Sequence, residues 1–209
     1  MRENSSRRLQ ALKTEQAILQ AALELMRQRD FEQVSIRDIC REAGITTGAF
    51  YHHFSSKEDL LRRGFAQLDD HMERELRPHL SEPPLDRLNR VVDIYAAFVE
   101  GDIGKLSARY YQYRLSSRSA EALESNRYVY RAMYACLKDA QEAGLMAPGH
   151  TAEEVSTFCM RHFRGIVIDW ILHDYSYPLL ARFREDYALI RQLFQRQSVP
   201  AGDGAAASL

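Results

Sequence analysis

Apolar residues recur at three- and four-residue intervals along most of this chain, and the strict alternation of a half-buried strand is absent. Ala17, Ile18, Ala21, Ala22, Leu25 and Met26 form one stripe of a first helix, predicted to open at Thr14 as N-cap and to close near Arg29 and Asp30. Phe31 and Val34 read as a short hydrophobic link. Ser35 and Asp38 resemble a capping box with aspartate in the usual Glu/Gln position, opening a second helix over residues 36–43 whose inward face is Ile36, Ile39, Cys40 and Ala43. Gly44 stops that helix, because glycine takes the left-handed cap conformation at little cost. Ile45 anchors the turn. Thr46 caps a helix barely two turns long that ends at Phe54. Ser55 or Ser56, with Glu58 or Asp59, opens a fourth helix running to about Leu80.

Ser81-Glu82-Pro83-Pro84 breaks the pattern, since paired prolines do not continue a helix. Further helices are predicted over residues 85–100, 103–115, 120–143, 151–174 and 178–195, with a loop over 144–149 and a Thr151/Glu154 cap. Residues 198–209 are rich in Gly, Ala and Pro without periodicity and read as a disordered tail. The predicted fold is all-α with about nine helices and no internal repeat. Its most apolar run, residues 165–172, is short and carries Asp169, so it reads as a buried helix and not as a membrane span.

Composition narrows this picture. With 209 residues, 45% hydrophobic and 27% charged, the chain is globular and long enough for a sizeable core. Its net charge of −1 excludes a globally basic protein but leaves room for a local basic patch. Cys40, Cys136 and Cys159 are odd in number and widely spaced, with no CxxC pair or zinc-finger spacing. They read as buried, reduced thiols of a cytoplasmic protein, with no metal and no cofactor expected. Residues 1–12 are charged and polar, unlike a secretory leader.

The short helix is the anomaly. A helix of that length is unstable alone, and this one carries two threonines, a glycine and four aromatic rings within residues 46–54. A helix, a glycine turn and a second short helix form a helix-turn-helix, whose second helix enters the DNA major groove. Thr46, Thr47, Gly48 and Ala49 are small enough for close approach, and their hydroxyls and methyls suit base edges. Phe50 and Phe54 are expected to face inward. Tyr51, His52 and His53 then remain for phosphate or base contact, with Lys57 at the start of the next helix.

Residues 14–61 resemble the DNA-binding domain of the TetR family of bacterial transcriptional regulators. The resemblance rests on Val34-Ser35, Glu42-Ala43-Gly44-Ile45-Thr46, Gly48, Tyr51, His53-Phe54, Lys57-Glu58 and Leu60-Leu61. Asp30 departs from it, standing where the family usually has glycine. The resemblance implies phosphate contacts from Tyr51 and Lys57, and from Ser35 at the second helix. It implies base-facing positions at Thr46, Thr47, Gly48 and His52, and a basic arm of Arg7, Arg8 and Lys13 along the backbone. The implied domains are a DNA-binding unit over residues 1–56 and a helical ligand-binding and dimerisation unit over 57–197, joined by the long fourth helix.

The second unit is rich in tyrosine: Tyr95, Tyr110, Tyr111, Tyr113, Tyr128, Tyr130 and Tyr134 fall in three consecutive helices. Tyrosine offers an apolar body and a hydroxyl, so a cavity lined by it suits a flat, moderately polar ligand. The expected lining is Tyr95, Phe98, Tyr110, Tyr113, Tyr130, Tyr134, His162, Ile166 and Asp169. His162 and Asp169, seven apart on one helix, read as pocket fixtures, with a core pair, a dimer-interface hydrogen bond or a metal site with His173 as the competing readings. The stripe Leu180, Phe183, Tyr187, Ile190 and Phe194 on the last helix is expected at a homodimer interface, the alternative being that it closes the chain's own core. Three functions compete: a dimeric repressor released from an approximately palindromic operator by a small aromatic or amphipathic effector, a DNA-binding protein governed by protein partners, and an enzyme of small molecules. No membrane partner is expected.

Overall fold

The computed structural model describes residues 2–116 and 127–196. The predicted tail, and residues 120–126 of the helix predicted to begin at Ala120, lie outside that range. No strand occurs among the described residues, which form α1 (Arg2–Gln28), α2 (Ile36–Glu42), α3 (Thr47–His53), α4 (Lys57–Leu76), α5 (Pro84–Phe98), α6 (Leu106–Ser116), α7 (Tyr128–Glu142), α8 (Ala152–Leu172) and α9 (Leu179–Phe194). The all-α architecture is the predicted one.

The first helix corrects the expectation at its start. Thr14 is no N-cap: its hydroxyl donates to the Gln10 carbonyl at 3.0 Å from inside α1. Arg2–Lys13 contains mostly good helix formers and neither Gly nor Pro, so nothing stops the helix before it reaches the terminus. At the other end Asp30 adopts an extended conformation (φ −57°, ψ 140°), and the chain turns through a single 3-10 turn at Phe31–Gln33.

Elsewhere the local signals hold. Ser35 and Asp38 form the capping box of α2, Thr46 Oγ1 accepts from the Ala49 N–H at 3.2 Å to cap α3, and Ser56 caps α4. Gly44 has φ +66°, and Ile45 N–H reaches back to the Cys40 carbonyl at 2.9 Å, which lets the chain reverse between α2 and α3. Thr151 and Glu154 box the start of α8.

Two cores share α4. At its start Leu60 and Leu61 pack with Ile18, Ala22, Leu25, Phe31, Val34, Ile39, Phe50 and Phe54, all buried. Arg63 reaches across to Glu15 at 2.8 Å and lies over the Phe54 ring. Farther along, Leu68, Met72 and Leu76 are buried where α4 meets α5, α6 and α7. Asp69 fixes that junction by accepting from the Arg127 guanidinium and the Tyr128 N–H, each at 3.1 Å. α5 is central to the part of the core beyond Leu68, touching α4, α7 and α9.

The stripe on α9 is a second correction. Phe183, Tyr187, Ile190 and Phe194 are buried within the chain itself, and Leu180 is half-buried against the same core. Phe183 packs its ring 5.0 Å from Phe163 and 5.7 Å from Tyr95. These residues therefore close the monomer, the alternative left open above. The reason is that α9 is apolar on two faces, and the face with the larger aromatic rings matches the rings of α5 and α8. Leu189 and Leu193 occupy the outward face, 63% and 68% exposed. On α8, Phe158, Ile168 and Leu172 also point out. The three cysteines are buried thiols; burial pushes Cys136 up to about 11 and Cys159 up to about 12.

Candidate nucleic-acid interface and interior cavity

The outer face of α3 is assembled from below by two phenylalanines. Phe50 and Phe54 stand one turn apart, fully buried, with ring centroids 5.7 Å apart. Their burial holds a helix of seven residues that would not persist alone. It leaves Thr46, Thr47, Gly48, Tyr51 and His52 exposed on one surface, with His53 half-buried beside them. Tyr51 is 58% exposed and meets Phe50 edge-on at 5.4 Å, so the ring is braced at its base and its hydroxyl is presented outward. His52 and His53 lie edge to face at 5.3 Å. Gly48 has only Thr46 Oγ1 within 4 Å of where a Cβ would stand, so the smooth surface there faces open space.

Two of the expected DNA-contacting groups are occupied inside the protein. Ser35 Oγ donates to Asp38 Oδ2 at 2.6 Å while accepting from the Asp38 N–H. A hydroxyl has one proton, so the donor expected at a phosphate is committed to the helix cap. The same hydrogen bonds, side chain before backbone, hold the Asp38 carboxyl below its ordinary value. Lys57 Nζ donates to the Phe31 and Val34 carbonyls at 2.7 and 2.9 Å and sits 4.3 Å from the Phe31 ring centre. Its charge satisfies the end of the α1–α2 link, because those carbonyls have no helical partner. Ser35 and Lys57 therefore brace the motif in this conformation. The side chains of Arg7, Arg8 and Lys13 are carried outward on the exposed start of α1.

The tyrosine-rich half contains a cavity whose described lining differs from the expected one. It encloses about 220 Å³ and takes its walls from Leu68 of α4, Tyr95 of α5, Tyr110, Tyr111 and Arg114 of α6, Arg127 and Val129 at the start of α7, and Met160 and Arg164 of α8. Tyr95 and Tyr110 are where the sequence predicted them. Phe98, Tyr113, Tyr130, Tyr134, His162, Ile166 and Asp169 do not line it. Tyr130 and Tyr134 stack on each other, nearly parallel with centroids 6.5 Å apart; Tyr130 is half-buried against the core and Tyr134 is 38% exposed. Phe98 instead borders a polar cleft between α1 and α4, its ring 5.0 Å from His71. The three arginines of the cavity were missed, since nothing in their spacing along the sequence brings them together.

His162 and Asp169 do not pair with each other. His162 Nε2 lies 3.0 Å from Asp186 Oδ2 of α9, and Asp169 accepts from the Tyr177 hydroxyl at 2.8 Å. Burial first, then Asp169, pushes that phenol up to about 12. Both residues border an open cleft of about 320 Å³ between α8 and α9. It lies along the same pair of helices as a groove of about 960 Å³ lined by Phe158, Arg161, Ile190 and Leu193.

One element, α6, joins the cavity to the helix-turn-helix unit. Residues 110, 111 and 114 of α6 line the cavity, while Arg109 leaves the same helix to bond Glu32 at 2.8 Å and to lie over the Phe31 ring at 5.7 Å. Phe31 is the residue whose carbonyl and ring hold Lys57.

Residues 18–63 match the model of the bacterial regulatory proteins of the tetR family. Over 195 residues the chain is 21% identical to the HTH-type transcriptional regulator AcrR of Shigella flexneri, covering 88% of this chain and 91% of that protein. A TetR transcription regulator from Haloarcula marismortui superposes with a TM-score of 0.72 over 88% of this chain and 99% of its own, at 18% identity. The regulator FadR of Bacillus subtilis, solved in complex with stearoyl-CoA, superposes with a TM-score of 0.63 at 20% identity, covering 84% and 96% of the two chains.

Proposed function

We propose that this chain is a regulator of the TetR kind that binds an operator through α3 as a homodimer and leaves it when a small molecule fills the interior cavity. The match of residues 18–63 to the model of the tetR-family bacterial regulatory proteins supports a transcription regulator. The observation that carries the reading is the exposed Thr46, Thr47, Gly48, Tyr51 and His52 surface on a short helix fixed by two buried phenylalanines. Thr47 and Gly48 present small groups to base edges, and Tyr51 presents a hydroxyl to a phosphate.

One recognition helix reads too few base pairs for useful discrimination, so a second copy is needed to read the other half-site. The surface that suits a second copy is the outer face of α8 and α9. Phe158, Leu172, Leu189 and Leu193 are exposed there, and Gly165 lies among them with nothing within 4 Å of its Cβ position. Four large apolar side chains in water on neighbouring helices favour burial against another apolar surface.

Ligand response follows from α6. A molecule entering the cavity presses on Tyr110 and Tyr111, and Arg109 on the same helix holds the α1–α2 link. A ligand that prefers a displaced α6 then selects a dimer whose recognition helices no longer match the operator. The neighbour FadR, solved with stearoyl-CoA, supports a helical fold of this kind holding a small molecule. The reading is tested by fluorescence anisotropy on an operator and single-base variants of it. Thr47→Ala is expected to reorder the preference among the variants, by about 1–3 kcal/mol at the affected base pair. An unchanged ranking for both Thr47→Ala and Thr46→Ala would remove α3 from base recognition.

A further inference from the structure

Asp174 and Tyr175, in the turn between α8 and α9, are the two non-glycine residues with positive φ among the described residues, at 50° and 58°. For a bulky side chain such as tyrosine that conformation is an outlier, and it persists only where surrounding contacts impose it. A second irregularity stands between α5 and α6. Val99–Ile103 form a π-helical turn, closed by the Gly104 N–H donating to the Val99 carbonyl at 2.8 Å, and Gly104 leaves it at φ 48°. Such turns are rare and often stand at functional places. Each of these two joints holds the start of the helix that follows the other. α9 opens at Pro178, which offers no side-chain cap; its first N–H groups, of Leu179 and Leu180, donate to Glu100 Oε1 and Oε2 at 2.8 and 3.2 Å. Those groups have no partner within their own helix, and a carboxylate there also meets the positive end of the helix dipole. Tyr175 returns the contact: its hydroxyl donates to the Lys105 carbonyl at 3.1 Å, immediately before α6. Burial first, then Asp174, pushes this phenol up, against the pull of the Ala108 N–H in the first turn of α6, so the hydroxyl keeps its proton to donate. The Tyr175 ring stands edge-on to Trp170 at 4.8 Å, and the Trp170 indole N–H donates to the Tyr177 carbonyl at 2.9 Å.

We propose that Glu100 and Tyr175 are positioning residues for operator binding: together they latch the start of α6 to the start of α9, so that the two helices keep one arrangement or leave it together. α6 carries Arg109 to Glu32 and the Phe31 ring at the α1–α2 link, and α9 carries the exposed Leu189 and Leu193. The latch thus ties the face offered to a second copy to the link that supports α3. The extra residue of the π-helical turn is the slack that an opened latch releases, about 1.5 Å of rise along α6. The effect on DNA rests on the operator-binding reading above; the latch between the two joints does not.

Glu100→Gln and Tyr175→Phe test it, each nearly preserving the size of the side chain. Hydrogen exchange of the full-length protein is read by mass spectrometry in peptides covering residues 105–110 and 178–183. Each variant is expected to speed exchange about fivefold, the scale of losing one helix-start hydrogen bond, in both peptides and not only in the one whose bond it removes. Asp93→Asn weakens a separate contact between α5 and α9, the pair with Arg184 at 2.8 and 3.0 Å, and is expected to leave the 105–110 peptide unchanged. In operator anisotropy each single variant is expected to weaken binding about fivefold, and the double variant no further than the weaker-binding single one, since an open latch has nothing left to lose. Thermal unfolding reports whether each variant folds; Glu100→Asp, which keeps the charge on a shorter arm, serves if Glu100→Gln does not. Acceleration confined to the peptide whose own bond is removed, or single effects that multiply in the double variant, would make the two contacts separate local caps and overturn the proposal. Unchanged operator affinity in both single variants overturns it as well. A wild type that binds no duplex in the same assay refutes the operator-binding reading instead, and the exchange comparison still decides the latch.

Discussion

Tyr51 and Lys57 lie six positions apart at the edge of the same motif, yet their surroundings give them different work. Tyr51 is braced on Phe50 and opens outward, so Tyr51→Ala is expected to weaken binding to specific and non-specific duplexes alike. Lys57 turns inward onto two carbonyls and the Phe31 ring. Lys57→Ala is therefore expected to cost about 2 kcal/mol of stability, the scale of charge-assisted hydrogen bonds, and to lower the unfolding temperature. A variant with unchanged thermal unfolding and a salt slope reduced by about one would restore Lys57 to the phosphate backbone instead. The inward pair Phe50 and Phe54 was legible from sequence because residues four apart share a helical face. The inward turn of Lys57 was not, since its partners lie 26 and 23 residues back and no local pattern links them.

At the scale of the element, α9 shows how far periodicity carries and where it stops. The spacing of Leu180, Phe183, Tyr187, Ile190 and Phe194 identified a helix face correctly, but the face lies inside the monomer. A helix with two apolar faces does not declare which one meets its own chain; the rings on α5 and α8 decide that. Two substitutions separate the faces. Phe183→Glu buries a charge with no partner and is expected to abolish folding. Leu193→Glu is expected to leave a folded monomer in sedimentation velocity, where the wild type is expected to sediment as a dimer. A dimeric Leu193→Glu protein would move the assembly surface off α8 and α9. The tyrosine-rich helices repeat the lesson. Tyr130 and Tyr134 stack on each other as neighbours on one face, yet Tyr130 is half-buried against the core and Tyr134 is 38% exposed, and neither lines the cavity. Helix α6 carries the link between cavity and DNA-facing unit, and Arg109→Ala tests it. The Arg109–Glu32 pair is well exposed, at 38% and 64%, so breaking it removes at most about 1 kcal/mol. Against a coupling of about 1–3 kcal/mol, ligand-induced release is expected to fall several-fold without vanishing, measured by anisotropy at saturating ligand.

For the molecule as a whole, nearly every break in the sequence pattern became a break in the fold: Gly44 between α2 and α3, Pro83 before α5, Thr151 and Pro178 before α8 and α9. Caps and turns are local, and a helix end needs no distant partner to be recognised. The cavity was legible as a region and not as a lining, because Arg114, Arg127 and Arg164 meet only after three helices have packed. The central claim is that two copies of α3 read DNA together, and selection from random duplexes by the purified full-length protein tests it most directly. The account predicts enrichment of a two-fold symmetric sequence bound by one dimer, each half-site lost when Thr47 is changed to a residue with a different groove-facing group. Recovery of no preferred sequence, or of an asymmetric site bound by a single chain, would contradict it.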